Sequence, residues 1–546
     1  MTIPELMAPS STNLLAISTR KAVRHTFYAL VTVLTVGAPL IASAGTWQPL
    51  TNQPPITEIV DPSGNDYGPG GAAAPLLLTD GGVLVQVAGY YGEDARVFKL
   101  TPDINGSYIE GTWSQLASKP YIGSGSAQAV LADGRVIIEG GEYTGYGYDF
   151  TLTNQGAIYD PAANTWTSVA PPPFFVDLYP PRAVFAPNPI GDAASVVLPD
   201  GTFMLQDKMS RQAALLNLQS MTWTETGTRT KADWNDEEGW TLLPDGTVLT
   251  VDCYTESDFL GSPYPADPTH SEVYSPRLHT WSSGGSTRVS LTDPHLFETG
   301  PSVLRPNGTV FAVGSDGHTA IYDSHEETWS VGPTLPMING NQPTAQDAPG
   351  SLLPDGQVLI AASAGATSPG QYTNPPVAFF RFNGKKLILE PTIPNAASDV
   401  SSSIQMVLLP TGQVLEVDGT NDVEIYTPGN GTPDPEWEPE IYTTPLVVSR
   451  GKTYELTGVR FNGMSQGTMF GDEIQSASNY PLVRITNLLT HHVFYSRTHD
   501  HSSMAVASQR TVSTHFDVPA GQEIGMSKLE VVANGVASDS RLVYVR

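Results

Sequence analysis

Residues 239–251 read Gly239-Trp240-Thr241-Leu242-Leu243-Pro244-Asp245-Gly246-Thr247-Val248-Leu249-Thr250-Val251. A short apolar run enters, Pro-Asp-Gly reverses the chain, and a β-branched run leaves, which is the pattern of a β-hairpin. Proline presets φ, aspartate bonds the local backbone, and glycine accepts a positive φ. The same device recurs at Thr79-Asp80-Gly81, Ala132-Asp133-Gly134, Pro199-Asp200-Gly201, Pro306-Asn307-Gly308, Pro354-Asp355-Gly356 and Pro410-Thr411-Gly412, making seven hairpins. Their spacing of 45 to 67 residues suits one repeating unit with loops of variable length.

A second signature follows most of these turns: a Tyr-bearing strand, a turn and a Trp-bearing strand. Ile158-Tyr159-Asp160 precedes Thr165-Trp166, Val273-Tyr274-Ser275 precedes Thr280-Trp281, and Ile321-Tyr322-Asp323 precedes Thr328-Trp329. Two hairpins make a four-stranded blade, and repeated four-stranded sheets pack into a propeller, with the outer aromatics between blades. The seventh repeat has Ile425-Tyr426-Thr427 but no Thr-Trp strand after it. Gly45-Thr46-Trp47 supplies the missing piece, so the N-terminal segment is expected to close the ring and remove an exposed sheet edge.

The composition agrees with an all-β protein. The chain has 546 residues with Gly 51 and Pro 46, and no long segment of helical period. A formal net charge of −28 argues against nucleic acid and anionic membrane surfaces as partners and favours cations. Cys253 is the one cysteine, so no intramolecular disulfide forms. Arg20, Lys21 and Arg24, the apolar run 27–41 and Ala42-Ser43-Ala44 form a secretory signal, with Met7 as an alternative start. The expected organisation is a signal peptide at 1–44, a seven-bladed propeller at 45–428, a linker at 429–441 and a C-terminal domain at 442–546. Short strands near Thr453–Val459, Leu482–Asn487, 493–497, 511–516, 528–533 and 540–545 suggest an immunoglobulin-like β-sandwich there. The mature chain is expected outside the cell, or in the periplasm of a double-membraned bacterium, with no membrane span.

The repeated Leu-Leu-Pro-Asp-Gly turns, the Tyr/Trp hairpins and the tail from Asn479-Tyr480-Pro481 through Arg497-Thr498-His499-Asp500-His501 resemble the galactose-oxidase-like kelch proteins. The resemblance covers nearly the whole mature chain. It implies a seven-bladed kelch propeller with an appended immunoglobulin-like domain. It also implies one copper ion near the axis, held by two tyrosines and two histidines, one tyrosine being cross-linked to a cysteine. Most of those ligands stand about nine residues before a turn glycine. Here those positions fall on Ser402-Ser403 and Thr299, and Cys253 lies on the wrong strand for the cross-link. His499 matches the ligand from the C-terminal domain. Hydroxyls are poor copper(II) ligands, so the radical-copper chemistry is expected to be lost.

The same spacing selects Asp192, Glu237 and Asp347 in other blades, with Glu298 one residue further back and Asp236 beside Glu237. These starts converge on one mouth of the channel, where several carboxylates repel one another unless a cation or protons intervene. His499 and His501 are expected to reach the same mouth. Asp192, Glu237, Glu298, Asp347, His499 and His501 therefore form a candidate site for a divalent metal such as Ca, Mn, Zn or Cu. The bland alternative is a hydrogen-bonded cluster, with His499-Asp500-His501 tying two domains together and Arg497 paired to an acid. Gly471-Asp472-Glu473-Ile474-Gln475 is a second polar stretch, read as a loop, a lining of the domain interface or a ligand site.

Three functions compete. The first is a secreted binding or structural module for glycans or cell surfaces, with Tyr143, Tyr146 and Tyr148 available to stack on sugars. The second is a metal-dependent enzyme, hydrolytic for example, using Glu237 or Asp347 as base. The third is a divergent copper oxidase with Tyr67, Tyr90 or Tyr91 as substitute ligands.

Overall fold

The structure is a computed structural model that describes residues 44–89, 92–147, 149–175, 188–253, 268–293, 298–365, 373–429 and 431–546. Residues 1–43 of the expected signal peptide, and Tyr90, Tyr91 and Tyr148, lie outside the described residues.

Seven antiparallel units form the ring, six of them four-stranded sheets and the sixth blade, around Gly350–Leu352, extended to six strands. Blade 4 shows how the sequence builds one. Thr241–Leu242, Val248–Val251, His270–Ser275 and Thr280–Ser286 pair in sequence order, with Leu242 opposite Val248, Val248 opposite Tyr274 and Tyr274 opposite Trp281. Its inner turn closes with Leu243 N–H donating to the Thr247 carbonyl at 2.8 Å and Thr247 N–H to Asp245 Oδ1 at 3.0 Å. Gly246 there has φ +89°, and all seven turn glycines lie between +78° and +89°, a region closed to most L-residues. The second strands Val83–Gly89, Val136–Glu139, Phe203–Gln206, Val248–Val251 and Val414–Val417 are buried at every residue. Neighbouring blades cover both of their faces, which explains apolar runs without alternation.

The outer aromatics hold adjacent blades together. Each Tyr–Trp pair meets at 5.0–5.3 Å between ring centroids, namely Tyr159–Trp166, Tyr274–Trp281, Tyr322–Trp329 and Tyr426–Trp47. The indole N–H then reaches a distant backbone carbonyl: Trp166 to Ala117 at 2.7 Å, Trp223 to Ala170 at 2.7 Å, Trp329 to Gly284 at 3.1 Å and Trp47 to Pro391 at 2.8 Å. Ring closure follows the repeat count. Thr46–Pro49 pairs with Glu424–Thr427, placing Trp47 opposite Tyr426, and completes blade 7 with Gln405–Leu408 and Val414–Val417.

After a short 3-10 turn at Pro435–Trp437, a nine-stranded sheet begins at Glu440–Thr443. It curls because Val493–His499 is shared: Val483 pairs with Ser496, while Arg497 pairs with Asp517. Ile441, Leu456, Phe461, Val483, Phe516, Leu529 and Val543 fill the space it encloses. Of the expected immunoglobulin-like sandwich, the structure shows this curled sheet. The sheet docks on the turn ends of the blades, with Thr498 N–H donating to the Thr79 carbonyl at 3.2 Å, His501 N–H to Ala132 at 2.8 Å and Met504 N–H to Pro199 at 3.0 Å.

Candidate functional site

One excursion of the C-terminal sheet leaves the base and runs up the ring axis. Gln466 Oε1 accepts from Leu242 N–H at 2.7 Å in blade 4. Thr468–Met469 pairs with Gly350–Leu352 of blade 6, and Thr468 Oγ1 accepts from Leu408 N–H of blade 7 at 3.1 Å. Ser476 Oγ donates to the Pro75 carbonyl of blade 1 at 2.7 Å. A segment touching blades 1, 4, 6 and 7 at once lies in the central channel and plugs it. Two glycines permit this passage. A Cβ on Gly239 would stand 2.4 Å from the Gly471 carbonyl oxygen, and one on Gly471 would stand 3.1 Å from Asp347 Cα.

The tip of this finger carries Asp472 and Glu473 into the mouth. Inner strands begin and end there, so their flanking residues converge. Lys208, two residues beyond Phe203–Gln206, stands at the centre. Its Nζ lies 2.5 Å from Asp192 Oδ2, 2.5 Å from Glu237 Oε1, 3.0 Å from Asp236 Oδ1 and 4.0 Å from Asp472 Oδ2. Burial opposes its charge, but those carboxylates outweigh the loss and hold the ammonium well above its ordinary pKa. Glu237, Glu298 and Asp347 form a second group beside it, with one oxygen from each lying within 4.8 Å of the others. Among the described residues no donor reaches Glu298 Oε2 or Asp192 Oδ1. The backbones of Glu237 and Asp347 are left-handed, at φ 56° and 43°, a strained conformation for residues with a Cβ.

One lysine cannot neutralise this many acids. Burial raises the carboxyls of Asp192, Glu298, Asp347 and Glu473 well above their usual range. Burial likewise takes Asp236, Glu142 and Asp472 to about 7, Lys208 opposing it in each case and Glu237 adding to the rise. Glu237 is the exception. Burial works against its charge, yet Lys208 and hydrogen bonds with Asp472 and Glu298 hold it below the usual carboxylate value. It is the acid of the site most readily held as an anion.

The structure therefore brings Asp192, Glu237, Glu298 and Asp347 together, as the spacing rule expects. It does not bring His499 or His501 to them, and the expectation that those histidines reach the mouth is corrected. They sit at the base, one strand length away. A Cβ on the Gly134 turn would stand 3.3 Å from His499 Cβ. His499 bonds Asp500 at 2.8 Å and Asp517 at 3.3 Å, and its ring stacks on His515. His501 Nδ1 meets Thr514 Oγ1 at 2.9 Å, and burial, reinforced by His499, takes its pKa down to about 3. Arg497 pairs with Asp517 at 2.7 Å. These side chains bond within the C-terminal sheet, and the loop meets the blades through the backbone N–H groups of Thr498 and His501. The 466–480 finger, not the 497–501 loop, enters the channel.

Lys208, Glu142 and Asp472 did not enter the sequence-based site. The spacing rule counts back from the turn to the first inner strand, whereas Lys208 and Glu142 follow the second. That strand ends at the same mouth, so counting forward from the turn would have reached them. Asn235-Asp236-Glu237-Glu238 divides its work. Asn235 Nδ2 bonds the carbonyls of Asp207 and Gln212, Asp236 and Glu237 face Lys208, and Glu238 turns away to Lys231 at 3.1 Å. Lys231 also meets Asp252 at 3.2 Å and Glu272 at 2.6 Å, and its Nζ stands 5.2 Å from the Trp281 ring centroid. His270 ion-pairs with Asp252 and with Asp233, the latter at 3.0 Å, so this inner cluster is supplied with its own cations. Cys253 is fully buried, donates to the Glu237 carbonyl at 3.2 Å and has its thiol pKa raised well above normal by burial and then Glu238.

The copper set implied by the resemblance does not fit. Thr299 is buried with its hydroxyl 3.5 Å from the Glu237 carbonyl, and Ser402 and Ser403 belong to a short 3-10 turn. Tyr67 stacks on Tyr146 at 6.1 Å and bonds Asp61. The mouth offers carboxylate oxygens, which are hard donors, and a lysine already engaged with them.

Fold and site together define a class: a seven-bladed β-propeller plugged by a finger of its C-terminal sheet, with an acidic, lysine-centred mouth. The chain matches no protein-family model and no curated protein. Among solved structures it is similar to a fungal alcohol oxidase of the AA5 family in complex with copper, at 12% identity over 92% of this chain and 100% of that one, with a TM-score of 0.46. It is also similar to a streptogramin B lyase, at 10% identity over 70% of this chain and 98% of that one, with a TM-score of 0.43. At such identities a likeness concerns the fold alone, and no chemistry is carried over from it.

Proposed function

We propose that the mouth binds a divalent cation on Glu237, Glu298 and Asp347, and that this exported protein engages a neutral, hydroxyl-rich ligand such as a glycan through that ion. One observation carries the reading: three carboxylates whose ligand oxygens lie within 4.8 Å of one another, one of them with an oxygen that no donor among the described residues reaches. Lys208 is already engaged with Asp192, Asp236 and Glu237. Oxygen donors alone suit Ca or Mn and disfavour copper. The surrounding excess of carboxyls disfavours anionic ligands, and sugar hydroxyls suit both the ion and the carboxylates. The basic, apolar and small-residue pattern of residues 20–44 supports export.

Calorimetric titration of the metal-free protein with Ca²⁺ and Mn²⁺ at pH 8 tests the site. Binding that is lost in Glu298→Gln supports it, and unchanged binding in that variant overturns it. A glycan array with and without the ion then tests the ligand class.

A second reading, an enzyme, is favoured by the carboxyl of Glu142. That group is half-buried beside the site and titrates near neutrality, as a general acid or base should. In that reading Glu237, held anionic by Lys208, serves as ligand and Glu142 moves the proton.

A further inference from the structure

We infer a second metal site, in blade 4, where Asp233, Asp252 and His270 converge on one point, and assign it to a borderline divalent ion of the Zn²⁺ class. It shares no ligand with the mouth and does not rest on the function proposed there.

Register brings two of the three together. Val251 pairs with Ser271, so Asp252 and His270 come next on the same two strands, and Asp252 N–H donates to the His270 carbonyl at 3.2 Å. Directly opposed residues share a sheet face, which sets the carboxylate beside the imidazole. Asp233 arrives on the segment that leads into Thr241–Leu242. Glu272 anchors that segment, one oxygen accepting from Ala232 N–H at 2.9 Å and the other from Lys231 Nζ at 2.6 Å. One ligand atom from each of the three residues then lies within 4.8 Å of the other two. His270 Nδ1 stands 3.0 Å from Asp233 Oδ2 and closer still to Asp252 Oδ2.

Hydrogen bonding alone does not account for this convergence. A ring nitrogen carries at most one hydrogen. At His270 Nδ1 that hydrogen serves Asp233. Asp252 is 2% exposed, and its Oδ2 accepts no hydrogen bond among the described residues, although it faces the same nitrogen. One proton cannot bridge all three atoms, whereas an ion at their centre takes a lone pair from each. Lys231 holds the other Asp252 oxygen, Oδ1, at 3.2 Å, and so fixes the carboxylate to bind through Oδ2. Asp233, Glu238, Asp252 and Glu272 also gather around the single ammonium of Lys231. A divalent ion on the neutral ring supplies one positive charge more than a protonated ring does. The ion pairs of His270 are then the metal-free state of the site. One imidazole with two carboxylates suits Zn²⁺, whereas the all-oxygen mouth suits Ca²⁺. The His270 and Asp233 side chains are 23% and 14% exposed, so the ion enters from solvent and its remaining position is open to water.

The test is calorimetric titration of the mature protein with Zn²⁺ at pH 8, in excess Ca²⁺ to occupy the mouth. One Zn²⁺ per chain is expected. His270→Gln and Asp233→Ala are each expected to weaken it by more than the about 10–100-fold that an outer-shell partner contributes. Glu298→Gln is expected to leave it unchanged. Co²⁺ in place of Zn²⁺ adds a spectroscopic readout, visible ligand-field bands that His270→Gln abolishes. A protein that takes up no Zn²⁺ overturns the site, and so does Zn²⁺ binding that both variants leave unchanged. Loss of Zn²⁺ in Glu298→Gln puts the ion at the mouth and overturns it too. Should His270→Gln fail to fold, Asp233→Ala at the more open edge reads the same loss. Failure of the mouth reading shows separately, as Ca²⁺ binding that Glu298→Gln leaves intact.

Discussion

Lys208 holds Asp192, Asp236 and Glu237 around one ammonium, and all of these side chains are largely shielded from water. Replacing it with methionine keeps the volume and strands the acids. Removing one partner of a buried ion pair costs about 3–5 kcal/mol. Lys208→Met should therefore lower the urea unfolding free energy by about that amount at pH 8 in EDTA, and by less at pH 5, where the carboxyls take up protons. An equal loss at both pH values would show that Lys208 acts through packing rather than charge. Cys253 gives a second prediction at this scale. Its thiol is fully buried and held protonated, so a thiol reagent at pH 8 should label it only as fast as the protein unfolds. Prompt labelling of the native protein would contradict this placement.

At the scale of elements, the Trp-bearing outer hairpin is both a packing unit and a tether between blades, whether Trp faces a Tyr or, as Trp223 does, a Leu. Trp223 donates its indole N–H to the Ala170 carbonyl at 2.7 Å. Trp223→Phe keeps an aromatic ring and removes that bond, so chemical denaturation should show a loss of about 1 kcal/mol. Trp281 departs from the pattern, because its indole nitrogen has no partner among the described residues and Lys231 stands over its ring instead. The axial finger is the other decisive element. Its course explains why Gly239 occupies a position where a Cβ would collide with the Gly471 carbonyl, and Gly471 one where a Cβ would crowd the Asp347 backbone.

For the whole molecule, ring closure and charge set the behaviour. Removing residues 45–49 takes the last strand from blade 7 and uncovers the edge of Glu424–Thr427. The truncated protein should unfold at a lower temperature and associate on size exclusion, because an open edge pairs with other chains. Acidity supplies the pH dependence. Asp236 and Asp472 titrate near 7 when folded and near 3.9 when unfolded. Between those values the folded state binds the extra protons, so stability falls as pH rises, by about 1.4 kcal/mol per pH unit for each group. His501, held neutral down to about 3, contributes the opposite slope between there and 6.5 and offsets one such group. The Tm in EDTA should therefore be higher at pH 5 than at pH 8. A cation at the mouth should flatten the profile by stabilising the ionised acids.

The propeller was legible in the sequence because a blade is a local object. Turn chemistry, strand period and the Tyr–Trp pair all lie within one repeat, and the missing strand after Tyr426 pointed to Trp47. The acids before the inner strands were legible for the same reason, since strand geometry sends every such start to one mouth. What only the tertiary structure decided was which distant groups join them. Asp472 arrives from the C-terminal sheet, and His499 stays at the base. The path of a connecting segment through a channel depends on contacts with four blades at once, and no local pattern encodes it. The state of the acids is settled in the same way, because it depends on burial and on Lys208, and both exist only once the ring has closed.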